Sequence, residues 1–468
     1  MGRCIYGRKS TVTEELPGIL APYPPGPKSI SILRKVQNSI ARSNYAGLFG
    51  ISMVDGKGPY VVDADGNTYI DCLGAASVNI LGYKNSVLIK AVGKQMKEMH
   101  NEGLCYGPSS TAAELADLLI KITPGLHEKR VLFGLSGSSS IDGSIEAVRK
   151  YTGKFGIIHF KNAYHGSTGL SQQASHFGRL NDGIFPAYNR LFAHVDFPKS
   201  QEDARRVLNE VEILLKTNFY AGFVAEIYQG DAGVFLPPSG FFPKLLELLH
   251  QNNTYLIADE IQSGMGRIGG KWWACEHVGI IPDILVCGKG LAAGYACISA
   301  AIGNKDIIQA LNPAQHLFSL CGHSVSARAA ISCVDEIVDK KYLDLNAKTG
   351  DKLIEGFLAI QKEFPNAIKE VRGKGLMIGI EIINNYQNTK KLSGGCIFAA
   401  RAVSLGVYFG YFGVHQEVVR VEPSYLLSKH NLDTILSVTR QVAHEFSTNS
   451  IPDIVISQLS LYSVGLNK

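Results

Sequence analysis

A lysine at the end of an apolar run is the side chain best placed for chemistry in this sequence. Lys289 closes the stretch Pro282-Asp283-Ile284-Leu285-Val286-Cys287-Gly288-Lys289-Gly290, which reads as a buried strand. An amine in such a place is poorly solvated, and desolvation favours its neutral, nucleophilic form, the form that attacks a carbonyl to give a Schiff base. Upstream, Thr254-Tyr255-Leu256-Ile257-Ala258-Asp259-Glu260 reads as a second apolar strand that ends in a carboxylate. A strand-end lysine that holds an aldehyde carbon and a strand-end aspartate that holds a pyridinium nitrogen together suit pyridoxal 5'-phosphate (PLP).

Other residues fit the same chemistry when taken jointly. Phe133-Gly134-Leu135-Ser136-Gly137-Ser138-Ser139-Ser140 follows one apolar run and precedes a helical pattern. Small residues with free N–H groups at a helix start form a phosphate site, and three successive hydroxyls add donors; alone, the same stretch reads as a helix cap. Tyr164, in Asn162-Ala163-Tyr164-His165-Gly166, could stack on a flat ring, while singly it and His165 read as structural. Glu226 ends another strand, with a solvated carboxylate as the plainer reading. Gln262 either donates to a phenolate oxygen or faces solvent. The order of phosphate loop, aromatic, carboxylate and lysine, each at a strand end, is what sets the group apart.

The elements that must carry these residues alternate. Between about residues 75 and 335, helical stretches alternate with short apolar runs at 130–133, 156–160, 221–225, 255–258, 284–287 and 298–302. Such alternation predicts a largely parallel sheet covered on both faces, with ligands bound beyond the carboxyl ends of the strands. Residues 60–71 read as a hairpin across Asp65-Gly66-Asn67. After about residue 340 the pattern changes to a smaller α+β unit with a closing helix at 431–446, which the hairpin could join. The expected organisation is an arm over 1–30, a first part of the small domain over 31–74, a large domain over 75–335 and the rest of the small domain over 336–468. In the arm, Leu16-Pro17-Gly18 and Pro22-Tyr23-Pro24-Pro25-Gly26-Pro27 exclude helix and inner strand.

Composition narrows the class. The 468 residues carry a net charge of +5 spread along the chain, so no charge block suggests nucleic acid or a membrane surface. No apolar stretch approaches the length of a bilayer span. The first residues lack an apolar signal core, which predicts a cytoplasmic protein. Nine cysteines without a Cys-x-x-Cys pair argue against a disulfide framework and a cysteine zinc site.

The segments also resemble a known family, from about residue 45 to 445. The resemblance lies in Asp63-x-Asp65-Gly66-Asn67-x-Tyr69-Ile70-Asp71, Ser136-Gly137-Ser138, Tyr164-His165-Gly166, Asp259-Glu260-Ile261-Gln262-Ser263-Gly264-Met265-Gly266-Arg267, Gly288-Lys289-Gly290, Arg372-Gly373-Lys374-Gly375 and Val419-Arg420-Val421-Glu422-Pro423. The chain is similar to class III PLP-dependent aminotransferases of fold type I. That resemblance implies an α/β fold, with a mostly parallel central sheet in a large domain and a smaller α+β domain, and a homodimer active in amino-acid metabolism. It implies that Lys289 forms the Schiff base and shuttles a proton, and that Asp259 pairs with the ring nitrogen. Ser136, Gly137 and Ser138 would bind phosphate, Tyr164 would stack on the ring, and Gln262 would reach its phenolic oxygen. Glu226 would border the cofactor. Ser319 stands where the family has a threonine on the neighbouring subunit's phosphate, and Arg420 matches an arginine that takes a substrate carboxylate.

Departures from the family pattern are Leu135 before Ser-Gly, Ser139 in place of an acid, Gly322-His323-Ser324 for Gly-Asn-Pro, and Tyr83 for a histidine. The expected reaction is transfer of an amino group between an amino acid and a 2-oxo acid. Ala75-Ala76-Ser77 and residues 408–413 are also similar to the racemase and epimerase branch, so inversion at Cα is the alternative. A catalytically silent binding protein on the same fold is a third reading, and the presence of Lys289 counts against it.

Overall fold

Apolar runs of four to seven residues form a central seven-stranded sheet in a computed structural model, which describes residues 18–20, 23–176, 191–384, 386 and 392–462. The strands lie in the order Lys129–Gly134, Ser299–Asn304, Ile284–Cys287, Tyr255–Asp259, Tyr220–Glu226, Gly156–Phe160 and Phe192–Val195. The last five in that order are mutually parallel. Ile284–Cys287, Tyr220–Glu226 and Gly156–Phe160 are buried throughout, and Tyr255–Asp259 at every residue but Tyr255, as a sheet covered on both faces requires. Ile141, Ile145, Val148, Ile157, Val224, Ile257 and Val286 pack on one face, and Phe160, Phe223, Leu256 and Leu285 on the other. Each such side chain contributes about 1.5–3 kcal/mol by leaving water.

One strand departs from the parallel expectation. Ser299–Asn304 runs antiparallel to both of its neighbours, so the sheet is mixed. The reason lies in the link: residues 288–298 hold only a short turn, Lys289–Ala292, and a parallel return needs a dozen or more residues, usually including a helix.

The predicted hairpin is present as Tyr60–Asp63 and Thr68–Asp71. Asp63 anchors its turn by accepting from Asp65 N, Asn67 N and Tyr69 Oη. Met53–Lys57 adds to one edge and Val407–Tyr408 to the other, so this sheet takes in a C-terminal strand. A second four-stranded sheet has the order Ile368–Lys374, Met377–Ile382, Val418–Val421 and Gly410–Phe412. A helix, Pro27–Ser39, starts inside the stretch read as arm. Proline suits a first helical position because its missing N–H has no partner there, and Asp65 accepts from Lys28 N and Ser29 N to cap the helix from the hairpin. Residues 1–17 and 21–22 of the predicted arm lie outside the described residues. Among the described residues, no helix is long and apolar enough to cross a membrane.

Candidate active site

Three neighbouring strands deliver three chemical groups to one edge of the sheet. Glu226 ends its strand directly beside Asp259, its register partner, and Lys289 follows the adjacent strand by two residues. All three line one cavity of ≈ 150 Å³, together with Gly137, Ser138, Tyr164, His165, Tyr228 and Gln262. Lys289 is half-buried. Its φ of +40° places it in the left-handed region, which costs a non-glycine residue roughly 1–3 kcal/mol and is concentrated at functional sites.

Asp259 is clamped from two sides. His165 Nδ1 lies 2.8 Å from Asp259 Oδ2, and an acceptor-only carboxylate fixes the ring proton on that nitrogen. Ile261 N donates to Oδ1 at 3.1 Å. His165 is itself tied at its backbone N to Ser175 Oγ, 2.8 Å away. Glu226 accepts from Tyr164 N at 2.9 Å and from Gly230 N at 2.7 Å, so one carboxylate sets both flanking loops. Burial pushes its carboxyl up to about 7. Burial also raises Tyr164, with Asp231 and Asp259 adding to the effect, and pushes Tyr228 up to about 12.

The opposite wall is the start of the helix Gly137–Thr152. Ser136 caps it, accepting from Ser139 N at 3.3 Å. Ser139 Oγ donates to Ser136 O at 2.8 Å, and Ser140 Oγ pairs with Ser299 Oγ at 2.7 Å. The three successive hydroxyls therefore do not act alike: Ser139 is spent inside the loop and Ser140 on Ser299 of a sheet strand, while Ser138 lines the cavity. The free first-turn N–H groups give this wall a partial positive charge.

Arg420 and Ser319 lie outside the cavity lining. Arg420 is fully buried on the strand Val418–Val421. Its Nη1 contacts Asp231 Oδ1, its Nε lies 3.1 Å from Glu422 Oε2, and its guanidinium sits 3.4 Å above the Phe412 ring. Glu422 in turn accepts from Gln262 Nε2 at 2.7 Å. Arg420 thus already lies against two carboxylates, while its Nη2 has no hydrogen-bond partner among the described residues. Ser319 is exposed.

Two features escaped the sequence. Asp231 is partly buried; burial pushes its carboxyl up, but the charges of Arg420 and Lys289 outweigh that and hold it below the ordinary range. Its only sequence sign is its place five residues past the strand-end Glu226. Gly74–Ser77 form a left-handed turn with φ of 57, 51, 59 and 71°, costing each non-glycine residue about 1–2 kcal/mol. Ser77 Oγ donates from it to Gln262 O at 3.2 Å. Alanine carries no signal for such a turn.

The arrangement can hold a phosphate on the helix start, a ring nitrogen on Asp259 and a carbonyl carbon at Lys289. A family model described as aminotransferase class-III matches residues 41–442. An alanine/serine racemase from Pyrococcus horikoshii is 30% identical over 453 residues, 93% of this chain and 94% of the relative. An acetylornithine aminotransferase from Methanothermobacter thermautotrophicus is 32% identical over 393 residues, 84% of this chain and 93% of the relative. The crystal structure of a transaminase from the marine bacterium Virgibacillus superposes with a TM-score of 0.81 at 23% identity, covering 90% of this chain and 99% of the other.

Proposed function

Because the chain belongs to the class-III aminotransferase family, we propose that it moves an amino group between an amino acid and a 2-oxo acid, with Lys289 as its proton carrier. The observation that carries this reading is the single cavity shared by Lys289, Asp259 and the start of the helix Gly137–Thr152. The cofactor is pyridoxal 5'-phosphate; when bound, it supplies the carbonyl that takes up the amino group and the electron sink for the Cα carbanion. The residues fit that group. The N–H groups at Gly137 and Ser138, with the Ser138 hydroxyl and the Ser136 cap behind them, would hold its phosphate. Asp259, aimed by His165 and the Ile261 N–H, would keep a proton on the ring nitrogen. Tyr164 would cover a ring face and Gln262 would face the phenolic oxygen. Lys289 Nζ would bind the carbonyl carbon at rest, then take the Cα proton and return it.

Arg420 receives the substrate carboxylate in this reading once its pair with Asp231 opens. A bidentate guanidinium–carboxylate pair compensates for the contact given up. The working unit is a homodimer in which Ser319 completes the neighbouring subunit's phosphate site. Support comes from its exposure and its absence from its own chain's cavity lining.

Inversion at Cα is the second reading, favoured by one observation: a relative with near-complete coverage is named a racemase. Single amino-acid enantiomers, incubated with and without a 2-oxo acid, separate the two. Amino transfer needs the acceptor and consumes the donor amine. Optical inversion at constant amine, with solvent deuterium entering Cα, would reject transfer as the main reaction.

A further inference from the structure

The thiols of Cys105 and Cys321 lie 3.6 Å apart although 216 residues separate them in sequence. Both are partly exposed, unlike Cys72, Cys275, Cys287, Cys333 and Cys396, which are buried. The distance is about 1.5 Å longer than a disulfide bond of ~2.05 Å, a gap that small side-chain rotations and a slight backbone shift can close. The two segments that carry them are already docked. Cys105 Sγ donates to Phe318 O at 2.8 Å, and Glu102 N donates to Ser324 Oγ at 2.9 Å. A Cβ on Gly322 would come within 2.6 Å of Leu104, so backbone and side chain meet here without slack. Among the described residues, no other two cysteines touch, and the remaining accessible thiol, Cys297, is exposed and stands alone.

We propose that Cys105 and Cys321 form a reversible disulfide by exchange with a low-molecular-weight disulfide, fixing residues 318–322 against residues 101–107. The step balances. One protein thiolate attacks the small disulfide and releases one small thiol; the second protein thiolate displaces the other. Two protein sulfurs lose two electrons and two protons, and two small thiols carry them away. Burial raises the Cys321 thiol, with Cys105 beside it adding to the effect, so exchange is faster at alkaline pH. Ser319 lies two residues from Cys321, so the clamp acts on the segment that the proposed function assigns to the neighbouring phosphate site. The covalent inference does not depend on that assignment.

The test uses the PLP-loaded protein in glutathione/glutathione disulfide mixtures, quenched with iodoacetamide and digested without reduction. The expected product is one peptide pair joining Cys105 to Cys321, about 2 Da lighter than the two thiol peptides combined, and lost on adding dithiothreitol. Cys105→Ser and Cys321→Ser, each lacking the resolving thiol, should instead accumulate a stable glutathione adduct on the remaining cysteine. The inference is overturned if both thiols stay alkylatable under the oxidising mixture. It is also overturned if the wild-type protein carries a lasting glutathione adduct at either position, or if either joins Cys297 instead. Amino transfer assayed in the same samples reads the proposed function separately, since loss of activity without the cross-link, or the cross-link without activity, bears on only one of the two.

Discussion

Lys289 combines a left-handed φ of +40° with a half-buried amine on the cavity wall, which suits the proton-carrying role proposed for it. Lys289→Ala should therefore lower turnover by at least ~100-fold, the typical contribution of a positioned proton carrier. The same change should abolish the visible absorption of the PLP-loaded protein, read on a desalted sample. His159 offers a titration test away from the reacting atoms. Burial, with His165 and other histidines nearby, pushes it down to about 3, whereas an unfolded chain titrates near ~6.5. Between those values the unfolded state binds the extra proton, so stability is lost as pH falls below 6.5. Glu226 and Glu260, pushed up to about 7 by burial, act in the opposite direction, so the difference between proteins isolates the histidine. His159→Leu should gain on the wild type by about 1 kcal/mol per pH unit between pH 6 and 5, measured by urea midpoints; an unchanged difference rejects the assignment. Residues legible in the sequence were those whose charge broke an apolar run, Lys289 and Asp259. Asp231 and Arg420 were not legible as a pair because their partnership spans 189 residues. His165 looked structural because the sequence cannot show that it touches Asp259.

Elements turn those residues into a site by ending together. The carboxyl ends of Tyr220–Glu226, Tyr255–Asp259 and Ile284–Cys287 line up in register, and the loop after Gly156–Phe160 brings Tyr164 and His165 to the same edge. Apolar runs bounded by polar residues made these strands readable. Strand direction was less so: nothing in the composition of Ser299–Asn304 says antiparallel, and the short preceding link was the only cue. Steric limits within loops are less visible still. Gly166 has φ +145°, and a Cβ there would come within 2.5 Å of both Ser138 Oγ and Ser171 Oγ. That backbone region is open to glycine almost alone. Gly166→Ala should displace the Ser138 hydroxyl and weaken cofactor affinity by about tenfold, the equivalent of one lost hydrogen bond of ~1.4 kcal/mol. An absorbance titration with PLP reads it, and unchanged affinity would mean that Ser138 does not hold the phosphate.

At the scale of the molecule, the large sheet and the C-terminal strands are bound through buried charge. Arg267, fully buried, donates to Pro423 O at 2.5 Å and to Leu376 O at 3.3 Å, while Gln262 reaches Glu422 from the cavity wall. Every polar group invoked at the cavity has a named position in one chain except the phosphate contact expected from Ser319. That residue is exposed, in a segment pinned by His316 Nδ1 to Glu146 Oε2 at 2.9 Å and by Cys105 to Phe318 O. In the proposed homodimer that serine completes the neighbouring subunit's cavity. The protein should therefore sediment at twice the 50.7 kDa of one chain. Ser319→Ala should weaken PLP binding about five- to tenfold, as loss of one hydrogen bond to a charged oxygen does, while leaving the sedimenting mass unchanged. Mixed dimers give the sharper reading. Pairing a Ser319→Ala subunit that keeps Lys289 with a Lys289→Ala subunit that keeps Ser319 leaves one lysine-bearing site, and that site should regain wild-type cofactor affinity. Weakened binding at that site, matching the Ser319→Ala homodimer, would place the hydroxyl's effect within its own chain.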